Sequence, residues 1–214
     1  MFSKLQYISR GATSKEQLAH IQQALDADCK WIQLRFKNAE ADQLTNLAAR
    51  VKKMCADYGS TFIVNDHPRI AKAVDADGVH LGLTDGDVQE AKKIMGTGKI
   101  IGGTANTIEH VLQRVKEGCS YIGLGPLHFT ATKENLSPIL GFQGYKIIMD
   151  ELAKRQIQFP VYAIGGIGLD DIAVLTRTGV YGVAVSGAIS HHPDKKLLLQ
   201  QFNTLLYESV NHSE

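Results

Sequence analysis

Between Gly125 and Lys133 the chain reads Gly-Pro-Leu-His-Phe-Thr-Ala-Thr-Lys, directly after the apolar run Tyr121 to Leu124. Two hydroxyls and one ammonium in a loop suit an anion, because O–H donors and a fixed positive charge converge on one group. Other apolar runs also end in polar chemistry: Thr61 to Val64 closes on Asn65-Asp66, and a later run closes on Ala163-Ile164-Gly165-Gly166-Ile167-Gly168. Around Trp31, alternation puts Gln33, Arg35 and Lys37 on one side of an extended segment and Ile32, Leu34 and Phe36 on the other. Two cations at the carboxyl end of a strand are costly unless an anion or solvent meets them.

Asp66 and Asp85 follow the third and fourth apolar runs. Carboxylates on adjacent loops can share one Mg²⁺, which keeps several waters and completes its shell with phosphate oxygens. Asp also caps helices, and Asp85 precedes the helix-like stretch Asp87 to Met95, so the pair alone leaves both readings open. Gly165-Gly166-Ile167-Gly168, ahead of a helical stretch from Leu169 to Thr178, and Ser186-Gly187-Ala188 let backbone N–H groups approach a phosphate closely. Each could equally be a tight turn; their recurrence on consecutive strands favours a phosphate.

The elements that must position these groups alternate. Strand-like runs fall at Leu5 to Ser9, Trp31 to Arg35, Thr61 to Asn65, Gly78 to Leu81, Lys99 to Thr104, Tyr121 to Leu124, Val161 to Ile164 and Gly182 to Ser186, separated by helical periodicity. Ser14-Lys15-Glu16-Gln17 has capping-box form, opening a helix that turns Leu18, Ile21 and Leu25 inward. Gly59 and Gly118 sit where helices should stop. About eight strand–helix units without a linker predict a single (β/α)8 barrel over residues 1–214, with all strand ends on one face. The structural rival is a doubly wound open sheet, against which the first strand has no GxGxxG turn after it.

Composition agrees with one ordinary globular unit: 214 residues, 44% hydrophobic, 21% charged. A formal net charge of +1 gives no bulk attraction to nucleic acid or an acidic membrane. Cys29, Cys55 and Cys119 are odd in number and scattered, which argues against a disulfide framework or zinc site and for reduced thiols. No apolar stretch has signal-peptide or membrane-span length, so the expected compartment is the cytoplasm, with small molecules as partners and a homo-oligomer left open.

The strings Gln33-Leu34-Arg35-Phe36-Lys37, Asn65-Asp66, Asp75 to Gly82 (DADGVHLG) with Asp85, GPLHFTATK and AIGGIG resemble the ordered motifs of thiamine-phosphate synthases. The resemblance runs from the second strand through the eighth, and Thr-x-Thr-Lys is its most specific part. It implies a Mg²⁺-dependent transferase that joins a hydroxymethylpyrimidine diphosphate to a thiazole phosphate and releases diphosphate. Carried over, Gln33, Leu34, Arg35, Phe36, Lys37 and Asn65 contact the pyrimidine diphosphate, with Arg35, Lys37 and Lys133 catalytic. Asp66 and Asp85 hold Mg²⁺, and Thr104 meets the pyrimidine where the family usually has Ser. Thr130, Ala131, Thr132, Gly166, Ser186 and Gly187 receive the thiazole phosphate. His80 and His128 are expected to be structural or solvent-facing.

The chain departs from the family pattern at three places. Phe36 stands at a usually acidic position, Leu83 where Gln is usual, and Asn106 where His is frequent. The related thiazole tautomerases depend on a histidine in the loop after the fifth strand, here Gly103-Thr104-Ala105-Asn106-Thr107. Retention of Asp66, Asp85 and Lys133 favours the synthase; the tautomerase and a non-catalytic barrel that binds a phosphorylated ligand are the alternatives.

Overall fold

The computed structural model describes residues 1–37, 39–129 and 138–208. Eight parallel strands close on themselves in sequence order. They are β1 (Leu5–Ile8), β2 (Trp31–Leu34), β3 (Thr61–Asn65), β4 (Gly78–Leu81), β5 (Ile100–Ala105), β6 (Tyr121–Leu124), β7 (Val161–Ile164) and β8 (Gly182–Val185). Between them run α1 (Ser14–Asp26), α2 (Ala41–Asp57), α3 (Pro68–Ala73), α4 (Val88–Met95), α5 (Ile108–Lys116), α6 (Gly141–Lys154) and α7 (Ile172–Arg177). The described chain finishes with α8 (Gly187–His191) and α9 (Lys195–Glu208). β8 returns to β1, pairing Leu5 with Val183 and Tyr7 with Val185, so the open-sheet alternative is overturned.

Two periods build the walls. Along each strand one parity packs outward: Ile32 and Leu34, Val79 and Leu81, and Ile122 and Leu124 are buried against helix residues such as Ile21, Leu47 and Val51. The other parity fills the barrel. Its floor is aromatic, with Trp31, Tyr121 and Tyr162 buried together with Ile63, and ring centroids 4.9 Å apart for Trp31 and Tyr121. Above this floor lies a polar layer, Gln6, Gln33, His80 and Thr104, and above that a cavity opens at the carboxyl ends of the strands.

Helix starts differ in detail from the sequence reading. The first cap is Thr13, one residue earlier than expected: its hydroxyl accepts the Glu16 N–H at 3.2 Å, while the Glu16 carboxylate accepts Ala12 N–H at 2.7 Å. Helix α1 does turn Ile21 and Leu25 into the core. Gly59 and Gly118 end α2 and α5 with φ of 60° and 70°. The single helix expected over Leu169 to Thr178 is a 3₁₀ turn at Leu169–Asp171 followed by α7. Here the Asp171 carboxylate accepts the Gly168 N–H at 2.8 Å and tightens the entry.

Candidate active site

A cavity of about 760 Å³ occupies the mouth of the barrel. Gln33, Arg35, Lys37, Asn65, Asp66, Asp85, Thr104, Gly166, Ser186 and Gly187, all expected at the site, line it. Parity explains the exceptions. Leu34 is buried among the outer helices and Phe36 packs against the same layer, so neither side chain reaches the cavity. Side-chain contact with substrate at these two positions is therefore withdrawn, leaving only their backbone. Thr130, Ala131, Thr132 and Lys133 lie outside the described residues.

Asp66 leaves β3 with φ 64°, a left-handed turn that Asp tolerates better than most side chains. Its N–H donates to His80 O at 2.8 Å, and its Oδ1 accepts the Gly82 N–H at 3.2 Å. The Asn65 amide donates to its Oδ2. Burial, then the charge of Asp85, push the Asp66 carboxyl up to about 6, against the pull of the Gly82 N–H and Arg35. Asp85 is not the cap of α4: Asp87 is, accepting the Glu90 N–H at 2.8 Å. That removes the capping explanation and leaves two carboxylates crowded at the ends of neighbouring strands. Among the described residues no third His, Cys, Asp or Glu joins them. Such a pair fits a divalent cation that takes the rest of its shell from water and phosphate, and does not fit a closed structural zinc site.

Beside the acidic pair, Arg35 and Lys37 extend from the exit of β2, the strand that pairs with β3. The β2 exit is tied down: Arg35 N–H donates to Ser9 Oγ at 2.9 Å, and the Gln17 amide donates to Arg35 O at 3.2 Å and Gly11 O at 3.0 Å. Across the mouth, Gly165 and Gly166 have φ of 95° and 71°. A side-chain carbon on Gly166 would also meet His128 Cβ at 2.8 Å, so only glycine suits this turn. Ser186 Oγ is buried without a hydrogen-bond partner among the described residues, and it lines the cavity beside Gly187. A buried hydroxyl left in this way is prepared for a ligand.

Arg10, His80 and Asn106 are among the lining residues that sequence reasoning did not place at the site. Arg10 follows β1 as Arg35 follows β2, and its guanidinium would lie 3.6 Å from a side-chain carbon placed on Gly187. A basic residue just past the first strand was the available signal. His80, expected to be structural or solvent-facing, takes the structural place: it is buried and bonded to Tyr121 and Thr104 within the barrel. Asn106 was noted as a departure and not as a site residue; its amide donates to Gly125 O, and its Oδ1 is buried at the cavity wall without a hydrogen-bond partner among the described residues. Thr104 belongs to β5 itself and not to the loop beyond it. His128 stands 2.9 Å from Asp171 and edge-on to Phe142, outside the cavity lining.

The comparisons with known proteins agree with this arrangement. A family model described as Thiamine monophosphate synthase matches residues 5–189. The thiamine-phosphate synthase of Flavobacterium psychrophilum is 52% identical over 96% of this chain and 100% of its own length. That of Flavobacterium johnsoniae is 53% identical, covering 98% of this chain and 99% of its own. Among solved structures, the thiamine phosphate pyrophosphorylase of Pyrococcus furiosus superposes with a TM-score of 0.83 at 30% identity, covering 96% of each chain. A 3-hexulose-6-phosphate synthase superposes with a TM-score of 0.71 at 15% identity, which speaks for the barrel alone. Barrel, site and relatives coincide, and the chain belongs to the thiamine monophosphate synthase family.

Proposed function

We propose that this family member, acting as one catalytic barrel over residues 1–214, condenses a hydroxymethylpyrimidine diphosphate with a thiazole phosphate, giving thiamine phosphate and diphosphate. The observation that carries this reading is that the Asp66/Asp85 pair and the cations Arg35 and Lys37 line one cavity at the ends of three neighbouring strands. Asp66 and Asp85 would hold Mg²⁺, which supplies charge neutralisation to the diphosphate. Arg35 and Lys37, at the end of the neighbouring strand, would bind the diphosphate beside the metal. Lys133 is assigned from the sequence to the leaving oxygen.

Departure of diphosphate leaves a pyrimidinylmethyl cation that the thiazole nitrogen captures. The residues therefore need to stabilise charge on the leaving group and position the acceptor, and no strong base is required. Gln33 and Thr104 would orient the pyrimidine. The thiazole phosphate would sit at Gly166, Ser186 and Gly187 with Thr130 and Thr132, and Arg10 adds a cation there. A barrel that merely bound a phosphorylated ligand would have no use for the carboxylate pair. Three buried free thiols, Cys29, Cys55 and Cys119, suit a reducing cytoplasm, and no described helix is long and apolar enough to cross a membrane.

The test is incubation of the purified protein with both substrates, with and without Mg²⁺. Thiamine phosphate and diphosphate should appear in equal amounts only when the metal is present; diphosphate release without the second substrate's incorporation would point to hydrolysis instead.

A further inference from the structure

Beneath the cavity, five buried polar side chains from five strands form one chain of hydrogen bonds. Gln33 Nε2 donates to Gln6 Oε1 at 3.1 Å, and Gln6 Nε2 donates to the Tyr121 hydroxyl at 3.2 Å. That hydroxyl lies 3.0 Å from His80 Nδ1, and His80 Nε2 lies 3.0 Å from Thr104 Oγ1. Gln33, His80 and Thr104 also line the cavity, so the chain begins and ends at the site.

The chain has a direction. Tyr121 already accepts from Gln6, and its single proton is left for His80 Nδ1. When Nδ1 accepts that proton, the imidazole proton resides on Nε2 and can be donated to Thr104 Oγ1, 3.0 Å away. In that arrangement the Thr104 hydroxyl accepts from His80 and keeps its own proton to donate, and Thr104 lines the cavity. The barrel makes room for this arrangement: a side-chain carbon on Gly102 would fall 2.4 Å from Tyr121 Cζ and 2.5 Å from His80 Nδ1, and one on Gly123 would fall 3.3 Å from His80 Cε1. Gly102 on β5 and Gly123 on β6 leave the space that the His80 and Tyr121 rings occupy.

We propose that His80 is a positioning residue that fixes the Thr104 hydroxyl as a donor into the cavity, so that this wall selects a heterocyclic ring nitrogen with a free lone pair and rejects a ring N–H. The inference rests on the synthase reading above, in which the pyrimidine lies against Thr104. Its energetic basis is an asymmetry: a ring nitrogen with a lone pair accepts the Thr104 proton, whereas a ring N–H offers it no acceptor and leaves that buried donor unsatisfied.

Two measurements test it. The first needs no substrate: long-range ¹H–¹⁵N correlation on histidine-labelled protein, with Tyr121→Phe to identify the affected ring, should find His80 in the Nε2–H form. A predominant Nδ1–H form, or no change in Tyr121→Phe, overturns the proposal. The second is a double-mutant cycle. Thr104→Val and His80→Leu should each raise KM for the pyrimidine diphosphate about tenfold, the scale of one buried hydrogen bond, with KM for the thiazole phosphate unaltered. His80→Leu should add little in the Thr104→Val background, and full additivity contradicts the coupling. Tyr121→Phe, which keeps its ring packing, provides the same comparison if His80→Leu does not fold. A protein that makes no thiamine phosphate at all refutes the synthase reading instead, and the tautomer result then decides the positioning role alone.

Discussion

Asp66 and Asp85 meet over Gly82: a side-chain carbon added to that glycine would lie 1.9 Å from Asp85 Oδ2 and 3.7 Å from Asp66 Oδ1. Neighbouring strands deliver both carboxylates to one spot, and the glycine between them keeps it open. Burial first, and then the like charge of Asp85, hold the Asp66 proton up to about 6.

That relationship sets a pH dependence. The ordinary Asp66 value is 3.8 and the folded value about 6, so the folded protein binds the proton more tightly than the unfolded chain. Metal-free stability should therefore fall as pH rises through this interval, with the whole cost present above it. Excess Mg²⁺ should raise Tm more at about pH 7.5 than at about pH 5, because only the ionised pair binds it well. Thermal scans of the wild type and Asp66→Asn check this; equal Mg²⁺ shifts at both pH values would remove the pair from the metal site.

Asp66→Asn should also lower turnover by on the order of 10²–10³-fold, the scale of losing one charge-stabilising group. The fold should survive, since the changed charge sits at the open mouth of the barrel. Circular dichroism and steady-state rates on one preparation make the comparison. A variant with the wild-type rate and Mg²⁺ response would show that Asp66 holds no metal.

Lys133→Ala should act mainly on kcat, by about 3 kcal/mol in transition-state energy, because its ammonium matters most as the carbon–oxygen bond breaks. If only KM for the thiazole phosphate changes, the lysine serves the other substrate.

Gly102→Ala tests the packing beneath the site. Replacing glycine in a strand ordinarily stabilises slightly, but here the added carbon meets Tyr121 and His80 at 2.4 and 2.5 Å. The expected result is a loss of about 1–3 kcal/mol in urea unfolding. Unchanged stability would mean that the polar layer yields easily.

Much of this was legible because strand parity and strand-end chemistry are local properties. The alternation Gln33, Arg35, Lys37 against Ile32, Leu34, Phe36 marked both the cavity side and the helix side of β2, so at Leu34 and Phe36, which the family resemblance also carried into the site, the side chains pack with the core and only the backbone is left to meet a substrate. The role of Asp85 was ambiguous until Asp87 was found to cap α4, a choice between two carboxylates two residues apart that depends on where the backbone turns helical. His80 was hidden for a different reason: its partners Tyr121 and Thr104 are 41 and 24 residues away, brought together only by barrel closure. Arg10 likewise reaches the β8 exit because β1 and β8 pair, a contact between opposite ends of the sequence.

The most direct test measures two activities on one preparation of the protein: Mg²⁺-dependent formation of thiamine phosphate with diphosphate release, and tautomerisation of a thiazole phosphate. A proton shift requires a group that accepts and donates near neutral pH, and the Asn106 amide does not titrate. Thiamine phosphate should form only with Mg²⁺, and thiazole tautomerisation should be negligible. Tautomerase turnover without release of diphosphate would contradict the account and show that a residue other than Asn106 carries the proton.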